Sequence, residues 1–202
     1  MKRFLAILAA VAATTAARAQ QTPPPVDIDA MKGFLAGALG DQMKGGPVVD
    51  FRELKALLPE SLPGLKRAEA AGEKRSVMGM TVATAEASYR SDAGAGIEIR
   101  IVDFGGAGVY KMAQAAWASM EVDRESDSGY EKTFDHEGSK GLEKYDRTAR
   151  KGEIQLLVAG RYHVEIAGRN VDIKDIQAVL EKIDLAKLAA LKPAAPPAAP
   201  AR

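Results

Sequence analysis

Ile97, Ile99 and Ile101 alternate with Glu98 and Arg100, and that alternation constrains the fold more than any other feature of the chain. Apolar residues at every second position give an extended strand one dry face and one wet face. The period of two recurs upstream, so strands are predicted over 65–72, 76–90 and 97–104. Between 83 and 89 the dry face is Ala83, Ala85, Ala87 and Tyr89, small enough at three positions for a helix to lie close to the sheet.

Four further strands are predicted near 130–136, 140–147, 153–158 and 162–167. Asp135-His136-Glu137-Gly138, Thr148 to Gly152 and Ala159-Gly160-Arg161 supply the turns between them. A three-residue loop at 159–161 would set Val158 opposite Tyr162, Leu156 opposite Val164 and Ile154 opposite Ile166. Such apolar matching is what fixes a hairpin register. Hairpin-length connections make this half antiparallel.

Helical spacing appears in four places. Asp29 is a candidate N-cap for a helix to about Met43, with Met31, Phe34, Leu35 and Leu39 as its stripe. Asp50 and Glu53 resemble a capping box for a short helix carrying Phe51, Leu54, Leu57 and Leu58 that Pro59 ends. The glycine turn Gly105-Gly106-Ala107-Gly108 leads into a helix over about 108–122, striped by Tyr110, Ala113, Trp117 and Met120, with Met112 and Ala116 flanking. Trp117 reads as a core plug. The last helix follows Asp172 and carries Ile173, Ile176, Val179, Leu180 and Ile183, with Leu185, Leu188 and Leu191 extending it towards Pro193. The fold class expected is α+β: one mostly antiparallel sheet of about six or seven strands packed with helices as an α/β/α-type sandwich.

Residues 1–19 have the layout of a secretory signal peptide. Lys2 and Arg3 precede the apolar run Phe4 to Ala13, and Ala17-Arg18-Ala19 offers small residues for cleavage between Ala19 and Gln20. A bilayer span needs about twenty apolar residues, roughly twice that run. Losing Lys2, Arg3 and Arg18 takes the formal charge from +1 to about −2, which excludes the global positive field that nucleic-acid binding relies on. The chain has no cysteine, so an exported domain of this kind coheres without disulfides. Residues 20–25 form an extended lead-in, 26–191 a single α+β domain, and 192–202 a Pro/Ala-rich tail that cannot pack. The expected location is the periplasm or the outside of the cell.

The candidate sites are few. His163 and Glu165 share one face of a strand, and with His136 they would supply the three ligands of a catalytic zinc site. No HExxH accompanies them. Asp123, Glu125 and Asp127 alternate like a calcium loop, but Ser128 and Phe134 stand where the required glycine and glutamate belong. Gly105, Gly106 and Gly108 match neither dinucleotide nor Walker loops and read as a tight turn. Searches for a GxSxG elbow or an SxxK tetrad find nothing. Lys140, Lys144, Arg147, Arg150 and Lys151 gather around one hairpin tip and form a candidate contact for an anionic envelope component or a partner protein.

From Phe134 to Leu185 the order runs strand, glycine turn, strand, charged turn, strand, glycine turn, strand, amphipathic helix. That order resembles the PsbP-like fold of photosystem-associated and exported bacterial proteins. The resemblance implies an antiparallel sheet between helices and a binding or assembly role rather than catalysis. The expectation is therefore an exported cell-envelope protein acting as a non-catalytic binding or assembly module. It would have no cofactor, no nucleic-acid partner and no transmembrane segment after signal cleavage. The alternative is a metal-dependent hydrolase using His136, His163 and neighbouring carboxylates.

Overall fold

The computed structural model of the chain describes residues 45–77, 80–106 and 108–193. The signal segment, the lead-in, the 29–43 helix and residues 194–202 of the tail lie outside that description. So do the side chains of Tyr110, Met112 and Ala113.

Among the described residues nine strands form one sheet: β1 (Ser61–Leu62), β2 (Leu65–Val77), β3 (Met80–Arg90), β4 (Gly96–Asp103), β5 (Asp123–Ser126), β6 (Gly129–His136), β7 (Ser139–Asp146), β8 (Lys151–Val158) and β9 (Tyr162–Arg169). Their spatial order is β1-β2-β3-β4-β9-β8-β7-β6-β5, and every neighbouring pair is antiparallel. Two meanders thus meet at the central β4–β9 ladder. The strand count exceeds the expected six or seven because β1 and β5 lie at the sheet edges. β1 is two residues long, and every residue of β5 is exposed, so neither leaves an apolar alternation to read. The first hairpin also turns later than expected. β2 continues through Glu73, Lys74 and Arg75, and Val77 pairs with Met80. At the 159–161 turn the register is the expected one: Val158 pairs with Tyr162, Leu156 with Val164 and Ile154 with Ile166.

One face of the sheet holds the core. Ala83, Ala85, Ala87 and Tyr89 of β3 line up with Ile97, Ile99 and Ile101 of β4, Tyr162, Val164 and Ile166 of β9, and Ile154, Leu156 and Val158 of β8. Burying each large aliphatic side chain contributes about 2 kcal/mol. Among the described residues three helices cover this face: α1 (Phe51–Lys55), α3 (Ile173–Leu180) and α4 (Leu185–Ala190), with α2 (Gly108–Ser119) left for the other side. α1 lies over β2 and β3, with the Phe51 ring against Gly72, so the alanine face does admit a close helix. Asp50 caps α1 by accepting from Arg52 N at 2.8 Å. α3 starts where Asp175 Oδ2 accepts from Asp172 N at 3.1 Å and seats Ile176 over the paired glycines Gly152 and Gly168. Glu143 of β7, 3% exposed, ties the far end of the sheet to α3. It accepts from Gln177 Nε2 at 2.6 Å and from the Tyr130 hydroxyl at 2.6 Å.

β4 is central and β5 is at the far edge, so the chain between them has to cross a face of the sheet. The crossing carries α2 and takes the face opposite the core. Trp117 Nε1 donates to Lys140 O at 3.0 Å, and Gln114 Nε2 donates to Gly160 O. Trp117 is half-buried there, so it pins the crossover helix rather than plugging the main core as expected. No described helix is long and apolar enough to cross a membrane.

Candidate functional site: the open face of the sheet

The outward positions of β3, β4, β9 and β8 fall into cross-strand rows. In one row Glu86, Arg100, Glu165 and Gln155 stand side by side; in the next come Ser88, Glu98, Ala167 and Glu153. Arg100 Nε donates to Glu86 Oε1 at 2.7 Å, Arg169 reaches Glu98 at 2.8 Å, and Gln155 donates to Glu153. A groove of about 320 Å³ opens on this face, with Glu69, Glu86, Glu98, Arg100 and Glu165 among its lining residues. Four carboxylates line the groove with the Arg100 guanidinium, and Arg169 pairs with Glu98 beside it, so negative charge remains in excess. Partial burial raises the Glu165 pKa, and Glu153 raises it further while Arg100 opposes. A cation placed there would relieve this strain.

Where α2 overlies the sheet, the same face turns apolar. Trp117 and His163 meet edge to face with ring centroids 6.0 Å apart. With Phe104, Gln114 and Leu157 they line a second hollow of about 220 Å³. Burial lowers the His163 pKa, against a smaller opposing effect of Glu153, with Arg100 lowering it further. His163 is therefore a neutral imidazole near pH 7.

The three ligands of the metal alternative do not come together. His163 and Glu165 share the outward face of β9, as their spacing requires. His136 pairs with Ser139 on the core side and approaches Glu181 at 3.8 Å. The sheet itself separates the two imidazoles, which corrects the expectation of a shared site. Among the described residues no group of three His, Asp or Glu side chains is arranged to hold a metal ion.

The basic residues disperse as well. Lys144 pairs with Glu131 at 3.3 Å, Arg147 with Glu125 at 2.6 Å and Arg150 with Asp172 at 3.2 Å. Lys140 sits along β7 with its carbonyl taken by Trp117, and Lys151 opens β8 on the exposed side of the turn. Carboxylates interleave with these cations, so they do not form one positive surface.

Sequence reasoning missed the best-satisfied charged group. Asp103, fully buried, accepts from Val49 N at 2.8 Å, from Gly105 N at 2.9 Å and from two nitrogens of Arg161. Arg161 also donates to Pro47 O at 2.9 Å. The signal was present: Asp103 continues the inward series Ile97, Ile99, Ile101. Gly105 and Gly106, with φ of 62° and 66°, make the turn that aims an N–H back at this carboxylate.

No family model, no curated protein and no solved structure matches this chain.

Proposed function

We propose that this chain is an exported cell-envelope protein, periplasmic or secreted, that serves as a non-catalytic binding module and takes its ligand on the open face of the sheet. The observation that carries this reading is the groove around Arg100. Its walls are side chains fixed in register by the central strands of the sheet, with three carboxylates in excess of the guanidinium among its lining residues. Rigid strands hold such groups better than loops do. The ligand class the groove suits is an extended cation carrying several amine or guanidinium groups, such as a polyamine or a basic peptide segment.

Calorimetric titration of the exported form with spermine tests the ligand class. Saturable binding that weakens on Glu98→Lys and with added salt supports it; binding insensitive to that substitution refutes it. Export is tested separately by mass spectrometry of material from cell fractions. A chain beginning at Gln20 outside the cytoplasm is expected, and Met1 retained on cytosolic protein contradicts it.

A further inference from the structure

Among the described residues, β2 has an edge that is unpaired beyond Lys66. β3 pairs with it from Lys66 to Val77, apart from the bulge at Ala68, whereas β1 covers only Leu65 and Lys66 on the other side. Beyond Lys66, alternate residues of β2 turn their N–H and C=O groups outward, with no strand to receive them among the described residues. An open edge of this length is a template for another strand.

Two features limit what can add there. The ladder with β3 shifts between Arg67 and Glu69, a β-bulge that interrupts the regular edge at Glu69. From Glu69 the sequence runs Glu-Ala-Ala-Gly-Glu-Lys-Arg to Arg75. A second copy adding antiparallel about a two-fold axis normal to the sheet must pair residues whose side chains share a face. Centred on Gly72, that register sets Glu69 opposite Arg75 of the second copy, and Arg75 opposite its Glu69. Ala71 then meets Glu73, and Ala70 meets Lys74, with no like charges opposed. Centring on Glu73 opposes two glutamates, centring on Lys74 opposes two lysines, and centring on Ala71 opposes Glu69 to Glu73. Among the registers centred on residues 71 to 74, charge therefore selects one. Charges on an edge strand commonly forbid pairing altogether; these leave a register with reciprocal opposite-charge contacts. The in-chain pair of Arg75 with Glu73 at 2.9 Å is exposed at both ends, so it competes weakly.

We propose that a second copy of this chain pairs through β2, antiparallel about Gly72, joining the two sheets into one continuous sheet with reciprocal Glu69–Arg75 contacts. This goes beyond the binding function and involves the sheet edge, where Glu69 also lines the groove.

Sedimentation of the full chain across a concentration series, with circular dichroism and thermal unfolding as folding controls, tests it. A concentration-dependent dimer is expected. Arg75→Glu should weaken dimerisation by about tenfold or more, because two opposite-charge pairs become like-charge pairs. The exchange variant Glu69→Arg/Arg75→Glu should restore it. A chain that stays monomeric throughout overturns the proposal. So does a dimer indifferent to Arg75→Glu, or one that the folded exchange variant fails to recover.

Discussion

Asp103 and Arg161, 58 residues apart in sequence, meet through two hydrogen bonds. Arg161 Nε donates to Oδ1 at 2.9 Å and a terminal guanidinium nitrogen donates to Oδ2 at 2.8 Å. The pair closes the end of the central β4–β9 ladder, and through Val49 N and Pro47 O it fastens the segment before α1 to the sheet. Burial works against the charge on Arg161, but the Asp103 carboxylate outweighs it and raises the arginine's pKa. Removing the carboxylate strands a partly buried guanidinium and two backbone donors. Asp103→Ala should therefore cost about 3 kcal/mol or more in urea unfolding. Arg161→Lys keeps the charge and loses the fork, so its cost should be smaller, about 1–2 kcal/mol. A cost below about 0.5 kcal/mol for Asp103→Ala would show that the clasp is not structural.

Gly168 and Gly152 face one another across β9 and β8 and leave the space that Ile176 fills. A Cβ at Gly168 would lie 2.6 Å from Ile176 Cδ1 and 2.6 Å from Val171 Cγ2. Gly168→Ala should destabilise by about 1–3 kcal/mol as α3 is pushed off the sheet. Ile176→Val, which removes Cδ1, should cost less in the Gly168→Ala background than in the parent chain. Chemical unfolding of the four members of this double-mutant cycle measures the difference. Strict additivity would mean that the two positions do not share the space.

His163 makes stability depend on pH. Its folded pKa lies below the ordinary value of 6.5, chiefly through burial, so the unfolded chain takes up the proton first. Stability is then complete above about pH 6.5, falls as the pH drops through that value, and stops falling below the folded pKa. His163→Gln should flatten this part of the profile. Trp117 is the sole tryptophan and touches the imidazole, so its emission should change with a midpoint below 6.5 in the parent chain and not in His163→Gln. A midpoint above 6.5 would contradict the burial argument.

Glu165 has the opposite sign. Its pKa is raised by burial and by Glu153, so its ionised form is disfavoured in the folded state. The folded chain is most favoured at pH values below the ordinary carboxylate value, and that advantage is lost as the pH rises through the raised folded pKa. Glu165→Gln should raise the thermal midpoint at pH 7 and leave it nearly unchanged near pH 4. Differential scanning at the two pH values checks this, and an equal shift at both would rule out the electrostatic cause.

The inner half of the sheet was legible in the sequence because burial on one face leaves a period of two. The Ile97-Ile99-Ile101 series and the 154–166 hairpin register follow from it directly. The edge strands were not legible: β5 is wet on both faces, and the charged end of β2, Glu73 to Arg75, has no apolar side chain of its own that would mark a strand. The open face was harder still. Glu86, Arg100 and Glu165 are far apart in sequence, and only the β3–β4–β9 register makes them neighbours. His136 and His163 show the converse. Both are the residue type that suggests a site, and their positions in β6 and β9 set them on opposite sides of the sheet.

The central claim is that a cationic ligand occupies the groove around Arg100, and mapping amide chemical shifts during a spermine titration tests it most directly. The account predicts saturable shifts concentrated on outward-facing residues of β3, β4 and β9, among them Ser88, Glu98 and Glu165, and their loss in Glu98→Lys. Shifts that stay linear with spermine concentration, or that gather on the core-side helices or the β7–β8 turn, would contradict it.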